Sequence, residues 1–305
     1  MSRRAWVLFV ALGVIWGIPY LLIKVADGGV SVPVLVFARI AIGALLLVPI
    51  ALARRQPGEL AQIRGHAGWL LAFGLCEIIV PWALLSQAER RLPSSTTGLL
   101  IAAVPVIGAV LALMSGGERL TPVRWVGLLT GFGGVALLAG PGAGSGDLPS
   151  TGLVLLTALC YATGPMIANR KLTALAPISV NAVCLSFAAV VYAPFAALNW
   201  PRTMPSAKVL ASLAGLGVLC TATALVLLFM LVAEAGPARA VVITYVNPAV
   251  AVALGVLALG EPLTPEIGVS FALILAGSVL ATGLRRPPSP GPSPAERSGP
   301  RERVR

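Results

Sequence analysis

Charge is what this 305-residue chain has least of. Only 11% of its residues are Asp, Glu, Lys or Arg, and 57% are hydrophobic, where a soluble domain carries about a quarter charged residues. A water-facing globule is excluded. There is one histidine, His66, so a Ser–His or Cys–His pair within the apolar segments has no base. No H-E-x-x-H zinc pattern occurs. The two aspartates, Asp27 and Asp147, lie far apart and leave no paired-aspartate signature. A P-loop, a dinucleotide-binding glycine fingerprint and a soluble domain are all missing, so ATP-driven work by this chain alone is not expected. No cofactor is expected, and the chain does not read as an enzyme. Its four cysteines, Cys76, Cys160, Cys184 and Cys220, fall inside apolar segments without metal-site spacing. Disulfides need an oxidising aqueous compartment, so these read as reduced packing residues. The net charge of +11 would suggest nucleic acid in a soluble protein. Here the basic residues sit between apolar runs and in one tail, where membrane topology explains them.

What the chain has in excess is long apolar runs, each sufficient to cross a hydrocarbon core of roughly 30 Å. Ten spans are expected: 6–26, 32–53, 68–85, 94–114 and 121–140, then 150–168, 177–200, 207–233, 237–259 and 265–284. The first has no small-residue cleavage site before Gly28 and reads as a signal anchor. Positive charge sets the orientation. With the N-terminus in the cytoplasm, the inner segments carry twelve basic residues: Arg3, Arg4, Arg54, Arg55, Arg64, Arg119, Arg124, Arg170, Lys171, Arg239, Arg285 and Arg286. The outer segments carry five, Lys24, Arg90, Arg91, Arg202 and Lys208. Both termini are therefore expected in the cytoplasm. Residues 285–305 are rich in Pro, Ser and Arg and cannot bury enough surface to fold. They read as a solvated tail, with anionic lipid as the alternative contact for its six arginines.

The chain contains one stretch twice. Pro105, Leu111, Glu118, Leu120, Thr121, Pro122, Gly134, Leu137 and Gly140 return 143 positions later as Pro248, Leu254, Glu261, Leu263, Thr264, Pro265, Gly277, Leu280 and Gly283. Further matches join Ala11-Leu12, Gly17 and Lys24 to Ala158-Leu159, Gly164 and Lys171, and Leu75-Cys76 to Leu219-Cys220. Five spans per half is an odd number, so the second half enters the membrane upside down. Inverted repeats of this kind place a binding site near the midplane, where the halves meet. The expected architecture is an all-α membrane protein of ten transmembrane helices built as two inverted five-helix repeats, 1–140 and 150–284, followed by the basic tail.

Several of these residues carry a family resemblance. The first span reads Trp16-Gly17-Ile18-Pro19-Tyr20-Leu21-Leu22-Ile23-Lys24, and the second contains Phe37-Ala38-Arg39. Pro105 is followed thirteen residues later by Glu118, and Pro248 by Glu261. Together with the span count and the repeat, this resembles the EamA-type transporters of the drug/metabolite transporter superfamily over residues 6–284. The resemblance implies a ten-helix secondary transporter of small polar or amphipathic metabolites, amino acids or related compounds included, often an exporter in a bacterial inner membrane. A monomer or homodimer is expected, and proton coupling is one candidate driving force. In the sixth span Ala162-Thr163-Gly164 stands where the first has Ile15-Trp16-Gly17. A passive channel and, further off, an intramembrane enzyme are the alternatives.

Glu77 is the first candidate site residue, roughly 14 Å into the third span. A carboxylate there costs at least about 2.5 kcal/mol, so it needs a partner, a cavity or a proton. Arg39 sits roughly 10 Å deep in the second span. Glu77 is either a proton carrier or contact for a cationic substrate group, or a structural partner of Arg39. Trp16, Tyr20, Trp82, Tyr161, Asn169, Asn181, Thr244, Tyr245 and Asn247 complete the polar and aromatic lining, with interfacial anchoring as the other role open to the aromatic residues. Pro105 and Pro248 are expected to bend or loosen their helices. Lys24 is expected to reach the outer surface. Glu118 and Glu261 are expected to cap the helices that directly follow them, with Thr121-Pro122 and Thr264-Pro265 as N-cap and first helical residue.

Overall fold

A computed structural model describes residues 2–114, 121–138, 147–235, 243–244 and 246–282. Hydrocarbon leaves backbone polar groups no partner except one another, so the apolar segments become helices. Among the described residues seven helices are long and apolar enough to cross a membrane. We number them with three shorter apolar helices in chain order: α1 Arg3–Asp27, α2 Val32–Ala53, α3 Ala67–Glu89, α4 Ser94–Met114, α5 Pro122–Leu138, α6 Leu148–Lys171, α7 Pro177–Leu198, α8 Ala207–Ala235, α9 Asn247–Leu259 and α10 Pro265–Thr282. A short helix, Glu59–Gly65, lies between α2 and α3.

Four helices are interrupted, two of them at a proline. Pro19 lacks an N–H and its ring crowds the preceding turn, so α1 breaks at Ile18 into Arg3–Gly17 and Pro19–Asp27. In α4 the helix stops at Ile101 and resumes at Val104, one residue before Pro105. In α3 and α8 the ladder widens into π-helical turns at Leu75–Ile79 and Gly215–Thr223. The repeated Leu-Cys pairs, 75–76 and 219–220, lie inside these two segments. Single π turns inside α-helices are frequently functional.

Packing follows a pattern. Helix α2 packs along α7, α4 against α9, and α5 along α10, while α1 meets the end of α8 and α6 meets the end of α3. Exchanging α1–α5 with α6–α10 returns the same set of pairs. Where α5 and α10 cross, a Cβ on Gly277 would collide with the backbone of Gly131. Small residues at a crossing allow the van der Waals contact that drives helix association in lipid.

Polar contacts sort the helix ends onto two sides. At one end Arg90 pairs with Asp27 at 2.6 Å, Arg91 with Asp147 at 3.5 Å, and the Ser31 hydroxyl donates to the Asn199 carbonyl at 3.3 Å. At the other, Arg4 pairs with Glu234 at 3.4 Å, and the Lys171 ammonium lies 4.9 Å from the Trp69 ring. We call these the Ser94 end and the Ser2 end.

Three expectations are corrected. Helix α3 runs to Glu89 rather than Leu85, because its terminal carbonyls find a partner in another helix. Among the described residues α9 begins at Asn247, so Pro248 occupies its first turn, where its missing N–H costs nothing, rather than a position inside that helix. Lys24 does not extend freely to the surface: its ammonium donates to the carbonyls of Glu89 at 2.5 Å and Leu92 at 2.9 Å, closing the end of α3. Glu118, Tyr245 and the basic tail lie outside the described residues.

Candidate functional site

The middle of the bundle gathers a cluster of polar and aromatic side chains from α1, α2, α3, α6 and α8. Arg39, buried on α2, donates from Nε to the Thr221 hydroxyl at 3.1 Å. Thr221 in turn donates to the Leu216 carbonyl at 2.9 Å inside the π-helical part of α8. The widened turn thus presents a hydroxyl that both closes its own helix and holds a guanidinium. The Arg39 guanidinium lies 3.7 Å from the centre of the Trp82 ring. A desolvated contact of this kind contributes about 2 kcal/mol. Tyr161 stands beside Trp82 and within electrostatic reach of Tyr20, Arg39 and Glu77. Tyr20 is buried, with its ring packed close to Gly98 of α4.

Glu77 does not pair with Arg39; among the described residues no carboxylate forms a salt bridge with this arginine. The reason is angular. Trp82 takes the side facing α2, and Glu77 faces α6. There its carboxylate fills the space over Gly164, where a Cβ would overlap Oε2. That oxygen is buried without a hydrogen-bond partner. An unmet buried polar atom costs about 1–3 kcal/mol, so the position is a demanding one for a carboxylate to hold. The Glu77–Gly164 contact is also where the sixth span departs from the first: at the repeat-matched place in α1, Gly17 lies against Val250 and the Asn247 carbonyl.

Of the sequence candidates, Tyr20, Arg39, Glu77, Trp82 and Tyr161 come together. Trp16, Asn169, Asn181 and Asn247 do not join them. Trp16 packs into a separate apolar seam with Leu12, Leu231 and Ile243. With its amide oriented to suit its surroundings, Asn247 donates to the carbonyls of Gly13 at 3.0 Å and Ile243 at 3.1 Å, tying α9 to α1. Asn181 spends its amide on the Pro177 carbonyl of its own first turn, at 2.9 Å. Asn169 is exposed near the end of α6. Pro105 and Pro248 are both buried.

A fully buried carboxylate at the end of α3 had no signal in the hydropathy pattern. Glu89, at the last turn of α3, is 0% exposed, and neither of its carboxylate oxygens has a hydrogen-bond partner. It lies beyond the expected third span, 68–85, in the segment that carries Arg90 and Arg91. Glu261 also differs from expectation. Its carboxylate accepts the N–H groups of Ser94 at 2.6 Å and Ser95 at 2.9 Å, capping α4 across the boundary between the halves rather than the helix that follows it. That next helix is capped by Thr264, whose hydroxyl accepts the Ile267 N–H at 3.4 Å, with Pro265 as its first residue.

With this geometry in view, comparison with known proteins is informative. The model of the EamA-like transporter family matches the chain twice, over residues 4–140 and 149–283. The chain belongs to that family. It is 27% identical over 278 residues to the uncharacterized inner membrane transporter YedA of Escherichia coli strain K12, covering 89% of this chain and 88% of that protein. It is 26% identical over 293 residues to the uncharacterized transporter YvbV of Bacillus subtilis strain 168, covering 92% of each. It is 29% identical over 290 residues to a probable terminal-alkyne amino-acid exporter of Streptantibioticus cattleyicolor, covering 92% and 93%. A solved crystal structure superposes with a TM-score of 0.64 over 92% of this chain and 98% of that one, at 21% identity. That likeness speaks for the fold alone. The EamA chain described here is thus a multi-pass membrane transporter.

Proposed function

We propose that this protein is a secondary transporter that moves a small polar or amphipathic metabolite, of the amino-acid class, out of the cell by alternating access. Ten spans form two inverted five-helix repeats, 1–140 and 150–284, with both termini cytoplasmic, so the Ser94 end faces outward. The observation that carries this reading is the packing pattern, which maps onto itself when the halves are exchanged. Two halves that can trade conformations give two states of similar energy, one open to each side. Twice matching one family model is the sequence counterpart of that pattern. The named amino-acid exporter among the relatives supports the substrate class and direction.

Within this reading Tyr20, Arg39, Trp82 and Tyr161 form the substrate-facing wall, and Glu77 couples transport to protons. A carboxyl packed on Gly164 at the α3–α6 contact changes its surroundings whenever these helices shift, and a change of surroundings is what binds and releases a proton. Arg39 keeps its place through Thr221 and Trp82 and does not need Glu77.

The test is transport by purified protein in proteoliposomes, with candidate labelled amino acids, with and without a pH gradient. The reading expects saturable uptake that the gradient drives beyond equilibrium. Saturable movement that never exceeds equilibrium under any gradient would replace the coupled transporter with a facilitator.

A further inference from the structure

The Ser94 end holds an unusual concentration of unmet hydrogen-bonding groups. Among the described residues nine buried side-chain oxygens have no partner, and five of these belong to Glu89, Ser94, Ser95 and Thr96. All four residues are 0–1% exposed. Native proteins leave few buried polar atoms unpaired, so a local concentration calls for an explanation. The Lys24 ammonium does not supply it, being committed to the Glu89 and Leu92 carbonyls. The charged and titratable groups that face Glu89 are Lys24, Asp27 and Tyr20 from α1, Arg39 from α2, and Glu261 from the connection after α9.

The two kinds of group in this cluster suit two charges. The first turn of α4 offers N–H groups and hydroxyls, which favour an anion. Glu89 offers a carboxylate, which favours a cation. The anion position is already taken, by a side chain of the other half: Glu261 holds the Ser94 and Ser95 N–H groups. Its carboxylate is packed beside Ser94 closely enough that Gly255 has no room for a Cβ. Any movement that separates the halves at this end withdraws Glu261 and leaves the N–H groups, the hydroxyls and Glu89 facing one opening.

We infer that this cluster is the outer release site of the transporter, plugged by Glu261. With the plug withdrawn, the first turn of α4 receives the carboxylate of a zwitterionic substrate and Glu89 its ammonium group. The inference rests on the transport reading and orientation proposed above. It adds a second binding position, nearer the outside than the Arg39–Trp82 cluster, and names the charge pattern of the substrate. It also explains why an acidic residue is kept in a place where no partner meets it.

Cysteine accessibility tests this without requiring transport. Ser95→Cys would be labelled from outside with a membrane-impermeant maleimide in right-side-out vesicles, with the parent protein setting the background from the native cysteines. Labelling should be slow while Glu261 is present and roughly fivefold faster with Glu261→Gln, the factor set by losing one helix cap. Glu261→Asp, shorter but still charged, is the second variant and should also label faster than the parent. In the Glu261→Gln background, norvaline should protect the cysteine better than butylammonium or butyrate, and Glu89→Gln should remove that advantage. Unchanged labelling in both Glu261 variants would overturn the plug. Equal protection by all three probes, or protection that survives Glu89→Gln, would overturn the site. A protein that transports normally yet fails these tests would leave the transporter reading standing and remove only the release site.

Discussion

Glu77 and Glu89 lie on one helix twelve residues apart, yet they sit in different kinds of surroundings. Glu77 is half-buried in the middle of α3, pressed against a glycine of α6, with one sealed oxygen. Glu89 is fully enclosed at the end of α3, with both oxygens unmet and Lys24, Asp27, Arg39 and Glu261 around it. The first depends on the fit between two helices; the second depends on whether one end of the bundle is closed. A buried carboxylate costs free energy in either place. The difference is in what relieves that cost: for Glu77 a change in the α3–α6 contact, for Glu89 the departure of a plug.

Filling the space beside Glu77 should have the largest effect. Gly164→Val places a side chain on the Glu77 carboxylate, and overpacking typically costs 1–3 kcal/mol, about, even without a charge involved. The Glu77 carboxylate must swing aside, so thermal unfolding followed by size exclusion should show a lower Tm, while Gly152→Val, on the same helix with open space around it, should behave like the parent. A stable Gly164→Val protein would mean that the contact is loose and Glu77 free to move. Glu77→Gln comes next. It should insert and exchange substrate, and lose accumulation driven by a pH gradient; an unchanged pH dependence would sink the coupling role.

Lys24→Met sharpens the other side of the comparison. It leaves the terminal carbonyls of α3 without their donor, which should cost about 1–3 kcal/mol. Hydrogen exchange should rise over residues 86–92 and stay unchanged around Glu77; a uniform rise would mean the two regions are not independent. The smallest effect is expected at Asp147. The Ser150 hydroxyl, and after it Arg91, hold this carboxyl below its ordinary range. A depressed carboxyl contributes stability that is present at neutral pH and lost as pH falls through its folded-state value. Asp147→Asn should therefore flatten the acid side of the stability curve slightly, and an unaltered curve would remove the Ser150–Asp147–Arg91 contact from the energetics.

Hydropathy and the internal repeat made the helices legible, because both are recorded along the chain. Arg39 and Glu77 lie within α2 and α3. Direction round the helix was not legible. Glu77 sits within a π-helical turn and Pro81 stands between it and Trp82, and no single-sequence rule says which side faces which neighbour. Glu89 was hidden for a related reason: Ser86, Gln87 and the following arginines look like a loop, while the Lys24 ammonium, donated from another helix, closes the end of α3. Glu261 read as a local cap because its neighbours Thr264 and Pro265 are one. Its reach across to Ser94 depends on how the halves meet, which the order of residues alone does not state.

All of these roles depend on the halves being inverted relative to each other, and a pair of topology reporters measures that directly. Fused after residue 143 and after residue 290 in separate full-length proteins, they should read periplasmic and cytoplasmic respectively. Both on one side of the membrane would contradict the inverted repeat, and with it the alternating exchange of the two halves.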